Sequence, residues 1–548
     1  MKHPIIFRNQ FSMVFISIIL LNSLLFLNAC SDTNSKKAAD SSTEAVNEGE
    51  QQYRPAFHFT PQKNWMNDPN GMFYLDGKFH LYFQHHPDSN VWGPMHWGHA
   101  TSEDLMNWEE HEIALFPDEL GTIFSGSAVV DYQNTSGLGT KENPPIVAIY
   151  TNHDADGEKA GSLTFQNQSI AYSNDKGYTW TKYSKNPVVK NPGIKDFRDP
   201  KVFWMENQQK WIMALAAGQE IQYYESKNLI DWSYKSSFGT GIGNHDGVWE
   251  CPDLFPLTIE GTETVKWVHL VSINPGGPNG GSATQYFIGD FDGNQFTLDP
   301  EFKVDIEKSH RFWADFGRDN YAGVTFSNWR TDDKKKPLFL GWMSNWLYGS
   351  IVPTYNWRSA MTLPRNLELS KTKEGYILKS TLAVDWDSFT TNNGNVVETK
   401  IEGNTTIVPP NTLDLRAAKI NIQLKNLEST TYTFELANQY GDTLSFGYDH
   451  KAKQFFINRS KSGKVDFSPE FTKGPSTAPR FSDDDMISLE FVLDKMSIEL
   501  FYDSGEAVMT EIFFPNTPYQ TLTLRTDDPT NTKYSATILE VNPSKNKE

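Results

Sequence analysis

Between Tyr53 and about Leu369 no stretch of the chain keeps the apolar spacing of a helix. Short apolar runs recur instead, such as Phe79–Phe83, Ile146–Tyr150 and Trp211–Leu215, each bounded by Gly, Pro, Asn or Asp. Short strands at regular spacing predict a closed or radial all-β fold. A weak repeat narrows the choice. Ala100–Trp108, Ala171–Trp180 and Tyr224–Trp232 each read as a strand, a polar hairpin turn and a tryptophan that plugs back into the core. Tyr286–Phe296 is a looser copy with Phe for Trp. The copies recur every 50 to 70 residues or so, roughly the scale of one four-stranded propeller blade. Residues 53–369 therefore predict about five blades. A large sandwich with recurring hairpins is the alternative.

The remainder divides by pattern. Residues 370–388 open with a polar run and read as a connector. Residues 389–541 alternate with a period of two and predict a β-sandwich. Within it, Ile487–Leu493 and Ser497–Tyr502, joined by Asp494-Lys495-Met496, predict an antiparallel hairpin with one face in water. No cluster of chemical side chains stands out there, so its expected role is support. Residues 542–548 predict a frayed tail. At the other end, Lys2, His3 and Arg8 precede an apolar stretch from Phe11 to Leu27. Small residues and a polar run follow at once, which reads as a signal peptide over 1–29 rather than a membrane span. Leu27-Asn28-Ala29-Cys30 resembles a bacterial lipoprotein box, with Cys30 lipidated and the chain anchored to the cell envelope on a flexible tether, 30–52. An ordinary secretory signal with an incidental cysteine is the plainer alternative. A lipidated Cys30 cannot pair with Cys251, the other of the two cysteines.

A net charge of −19 argues against nucleic acid, whose binding rests on neutralising phosphates, and leaves neutral ligands open. The chemistry sits in three acidic motifs. Asn64-Trp65-Met66-Asn67-Asp68-Pro69-Asn70-Gly71 holds one carboxylate among asparagines, with Pro69 and Gly71 fixing a tight, irregular backbone. Alone it reads first as a surface turn. A carboxylate accepting several amide hydrogen bonds stays ionised, as a nucleophile must. Arg198-Asp199-Pro200 and Glu250-Cys251-Pro252-Asp253 likewise precede short apolar strands. Equivalent strands of a propeller converge on its axis, so the three motifs are expected to meet. Hydrolysis of a glycosidic bond needs one ionised and one protonated carboxyl group. Asp68 suits the first role. Glu250, flanked by Val248, Trp249 and Pro252, suits the second, because apolar neighbours disfavour its charge. Asp199 could hold two vicinal sugar hydroxyls, oriented by Arg198. Singly, Glu250 reads equally as a strand-end residue and Arg198-Asp199 as a structural ion pair. His85, His86, His96 and His99 lie close in sequence but fit no firm zinc spacing, so neither metal nor cofactor is expected.

These motifs, with Phe124-Ser125-Gly126-Ser127, Asp315–Ala322, Gly341–Trp346 and Trp357–Met361, resemble glycoside hydrolase family 32, the β-fructosidases, which include invertases, inulinases and levanases. The resemblance runs from Tyr53 onward. It implies a five-bladed β-propeller followed by a β-sandwich, and retaining hydrolysis. It makes Asp68 the nucleophile, Glu250 the acid/base and Asp199, with Arg198, the stabiliser of the transition state. Asn67, Gln84, Trp92, Phe124, Ser125 and Trp346 match positions lining the fructose subsite, and Trp65 is expected to wall the same pocket. Cys251 is implied to modulate the acid; a small buried residue is the equal alternative. Asp315 and Asp319 are expected to organise the fifth blade. Gly341–Met361 looks most like the levanase and exo-inulinase branch, which implies release of fructose from fructan chain ends and cleavage of sucrose. An endo-acting levanase and a non-catalytic surface glycan-binding lipoprotein remain as alternatives.

Overall fold

A computed structural model describes residues 52–329, 336–528 and 531–545. Cys30, the signal segment and the tether up to residue 51 lie outside the described residues. Five sheets build the first part of the chain. Their inner strands are Asn64–Leu75, Thr122–Val130, Phe197–Met205, Val248–Thr258 and Tyr321–Thr325. Each continues outward by antiparallel pairing, and the fivefold propeller follows. The ring closes where Trp357–Arg358 pairs in parallel with Asn64–Trp65, so chain from the fifth blade completes the first.

The repeat marks the hairpin between the two outer strands. Ser102 Oγ accepts from Leu105 N, and Asp104 Oδ1 accepts from Met106 N and Asn107 N. Ser173 with Asp175, and Ser226 with Asn228, tie the same turn in blades two and three. Trp180 and Trp232 donate their indole N–H back into the turn, to Gly177 O and Leu229 O. Each turn therefore satisfies its own backbone groups and leaves the ring apolar for packing.

The second part is a sandwich of two six-stranded antiparallel sheets. The linker is shorter than residues 370–388. Arg365–Thr372 and Gly375–Leu382 form the outer hairpin of blade five, because the polar run alternates with Leu367, Leu369, Ile377 and Leu378, all buried. The chain crosses over between Leu382 and Thr390. Residues 542–545, expected to fray, are tied down by Asn542 N to Phe389 O at 2.8 Å and Lys545 Nζ to Asp387 O at 3.3 Å. Residues 546–548 lie outside the described residues.

The hairpin expected to have a wet face has none on its second strand. Ser497–Tyr502 is buried at every position. Glu499 meets Arg365 of blade five at 2.5 Å and His58 at 3.0 Å. His58 also holds Asp494 at 2.8 Å, and Arg365 also holds Asp315 at 2.8 Å. Arg459 of the sandwich holds Asp319 at 2.5 Å. Asp315 and Asp319 accept from Arg365 and Tyr348 of blade five and also from the backbone N–H groups of Thr510 and Ile512, so they bind the sandwich to the propeller. Burial alone would lower the His58 imidazole, but the two carboxylates raise it to about 9, and Asp494 and Glu499 are held below the usual carboxylate range.

Candidate active site

All five inner strands carry a bulge at the same height. In blade one, Asn67 and Asp68 stand opposite Gln84 alone. Phe124 and Ser125 do so against Thr151, Asp199 and Pro200 against Leu215, Cys251 and Pro252 against Val271, and Ala322 and Gly323 against Gly341. A bulge sets two residues against one and re-aims their side chains. Pro200 and Pro252 sit within bulges, which release a ladder donor, and Pro69 directly follows one. Asp199 and Cys251 adopt left-handed backbone, φ 67° and 45°. Gly126 is required by close approach, since a Cβ there would lie 2.1 Å from Ile149 O. The acidic motifs are thus strand interiors. The octapeptide read as a turn is the bulged start of a 12-residue strand.

The bulges open into a funnel of about 270 Å³. Asn67, Asp68, Gln84, Trp92, Phe124, Ser125, Arg198, Asp199, Glu250 and Trp346 all line it. Trp65 does not. It is fully buried, donates Nε1–H to Asn67 Oδ1 at 2.7 Å and stacks behind Trp346 at 5.8 Å, so it positions the wall rather than forming it. Gln84 donates to Asn70 Oδ1 at 2.7 Å. Below the funnel, Lys201, Asp253 and Thr325 close the axis through hydrogen bonds and an ion pair at 3.1 Å. A larger cavity of about 700 Å³ lies beyond them, but its carboxylates Asp131, Glu206 and Asp253 are committed to neighbouring donors.

Asp68 Oδ2 accepts from Ser125 Oγ at 2.7 Å, and Oδ1 from Asn67 Nδ2 at 3.0 Å. The Cys251 thiol lies 3.6 Å from both Asp68 Oδ2 and Asp199 Oδ2. Burial, joined by Asp199, Asp68 and Glu250, pushes that thiol far up, so it stays protonated and donates. The expectation of a carboxylate kept low by amide donors fails for Asp68. Burial raises it and Glu250 adds to the rise, while Ser125, Asn67 and Cys251 only partly oppose. Asp199 is raised by burial too, against the pull of Arg198, and by Glu250 and Asp68. Asp68 and Asp199 are thus both raised, side by side in one funnel.

Glu250 differs from the expected apolar setting. Arg198 Nε and Nη2 both donate to its Oε1, at 3.1 and 2.8 Å, and Tyr321 OH donates to Oε2. Arg198 therefore serves Glu250 first. Its Nε is 3.9 Å from Asp199 Oδ2, while Nη1 binds Asp196 at 2.7 Å. Asp199 is oriented instead by Cys251 N at 3.1 Å, with its own N–H on Thr151 Oγ1 at 3.0 Å. Sequence reasoning gave no role to Asp196, Tyr321, His153, Glu158 or Gln166. Tyr321 lay within a recognised motif; the others carry no local signal. Among the described residues no three His, Cys, Asp or Glu side chains are grouped to hold a metal ion.

If Asp68 attacks a sugar it must be ionised, and its raised setting then places the acid limb of kcat/KM above the ordinary carboxylate range. Ser125→Ala removes a donor that favours the ionised form. The limb should move to higher pH, with the alkaline limb unchanged. A pH–rate profile in which S125A matches the wild type would contradict this role.

The sequence model described as the glycosyl hydrolases family 32 N-terminal domain matches residues 58–380, and that of the family 32 C terminal matches 385–541. A levanase of Bacillus subtilis is 45% identical over 510 residues, covering 91% of this chain and 71% of its own. An extracellular exo-inulinase of Aspergillus niger is 39% identical over 498 residues, covering 85% and 90%. The crystal structure of an exo-inulinase from Aspergillus awamori superposes with a TM-score of 0.81 at 35% identity, over 89% of this chain and 98% of that one. With both domains matched in order and the carboxyl groups gathered in one funnel, the chain belongs to glycoside hydrolase family 32.

Proposed function

We propose that this glycoside hydrolase, which cleaves β-fructofuranosidic bonds, removes terminal fructose from fructans and fructo-oligosaccharides by retention, with Asp68 as nucleophile and Glu250 as acid/base. Asp68 attacks the anomeric carbon as the bond to the leaving oxygen breaks, and the proton of Glu250 passes to that oxygen. Water then attacks the same carbon, returns a proton to Glu250 and frees Asp68. Asp199, fixed by Cys251 N, is placed to take sugar hydroxyls. Arg198 and Tyr321 hold both oxygens of Glu250 in place.

The observation that carries chain-end action is the shape of the site. The funnel is about 270 Å³, and beyond it the ion pair of Lys201 with Asp253 ties two inner strands together, which suits one terminal ring rather than a polymer lying through it. The names of the levanase and exo-inulinase relatives support fructan as substrate. We place the enzyme on the cell envelope through lipidated Cys30, on the strength of the Leu-Asn-Ala-Cys box after an apolar segment. One fractionation tests these readings. Envelope fractions of expressing cells should release mainly free fructose from levan and inulin. Cys30→Ser should move the same activity to the soluble fraction. A ladder of oligosaccharides would instead establish endo action, and soluble wild-type activity would remove the anchor.

A further inference from the structure

Four polar side chains in the funnel wall take no part in the reaction above: His153, Glu158, Gln166 and Asp196. They stand together on blades two and three. His153 ends the strand Ile146–His153, Glu158 lies on the short helix Ala155–Lys159, and Gln166 begins the strand Gln166–Ser173. Three of them are joined. Phe197 N donates to Gln166 Oε1 at 2.8 Å, so the amide nitrogen of Gln166 is the end that meets His153 Nδ1, at 3.3 Å. His153 Nδ1 therefore accepts, and Nε2 carries the hydrogen. That Nε2 lies 3.3 Å from Glu158 Oε2. The imidazole is further fixed by stacking on Phe124, 4.2 Å between centroids at 4°. Among the described residues Glu158 Oε1 has no partner, and the side chain is about half exposed, at 48%.

The side of the funnel matters. Glu250 gives its proton to the leaving oxygen, so the leaving sugar must stand beside Glu250. Arg198 spans from Glu250 to Asp196, and Phe197 continues from there to Gln166, His153 and Glu158. Trp92, 45% exposed, packs edge-on against the same Phe124 and flanks this group with an aromatic face. We propose that His153 and Glu158 form the subsite for the leaving sugar. Glu158 Oε1 accepts from its hydroxyls, and His153 holds Glu158 by its other oxygen. The ligand is a neutral hexosyl residue with free hydroxyl groups. This rests on the fructosidase reading and extends it.

The test compares two substrates with the same fructosyl group. Nystose carries a hydroxyl-rich leaving group; methyl β-fructofuranoside carries a methyl. In Glu158→Ala the ratio of kcat/KM for nystose to that for the methyl glycoside should fall about 10-fold, mostly through KM for nystose, as loss of a charge-assisted hydrogen bond requires. Glu158→Gln, which keeps an acceptor, should recover part of it. An unchanged ratio overturns the subsite, and so does an equal loss on both substrates, which would mark Glu158 as structural support. A wild-type enzyme inert on both would overturn the fructosidase reading itself, and the subsite with it.

Discussion

Asp68→Asn should cut turnover of sucrose and levan by about 10⁴-fold or more, the scale seen when a covalent nucleophile is removed. Asparagine keeps the size of the side chain, its one oxygen can accept from Asn67 and its NH2 can donate to the Ser125 hydroxyl, so the funnel should hold its shape and sugar binding should survive. Glu250→Gln should behave differently. Loss of a general acid costs about 10² to 10⁴ on natural sugars. On a fructoside whose leaving group needs no proton, the first step should be spared. The pair of measurements separates the two roles. Comparable losses on both substrate types in both variants would mean that the roles have been misassigned.

The second large effect is on stability and lies far from the funnel. Glu499→Gln removes one carboxylate from between two cations, Arg365 and His58, all of them buried. Breaking a buried ion pair from one side costs about 3 to 5 kcal/mol, because the partner charge stays buried. Urea unfolding should show that loss. Its pH dependence is more diagnostic. The His58 imidazole is raised from 6.5 to about 9, so its contribution is complete below about 6.5 and is lost as pH rises through about 9. Asp494 and Glu499 are depressed, so theirs is present above ordinary carboxylate values and is lost as pH falls through the depressed ones. In Glu499→Gln, His58 should fall back toward its ordinary value, and the alkaline decline should flatten. A decline as steep as that of the wild type would show that another group titrates there.

Much of this was legible in the chain. The spacing of Trp108, Trp180 and Trp232 announced the blades, because each hairpin closes on itself through local bonds. Asp68, Asp199 and Glu250 could be picked out because their motifs recur at equivalent strand positions. What local sequence could not carry was which groups face one another. Arg198 precedes Asp199 yet serves Glu250, 52 residues away, because blades three and four bring the two inner strands together. Ser497 and Glu499 alternate with Ile498 and Leu500 as a solvent face would, and the propeller covers that face. Alternation reports two unlike surroundings without saying that one of them is water. Trp65 looked like a wall and is the backing of one, a difference set by rings on blade five.

The bulges also decide which changes of length the enzyme survives. Take one residue out of Asn67-Asp68, Asp199-Pro200 or Cys251-Pro252, and the inner strand can pair regularly with its neighbour. Residues beyond the deletion keep their partners, Lys201 with Ala214 and Asp253 with Leu270, so the floor stays in place. What is lost is the second residue of the bulge and the aim it gives to Asp68 or Asp199. Outer hairpins can lengthen or shorten at their tips with little consequence. The inner strands tolerate new letters far better than a missing one.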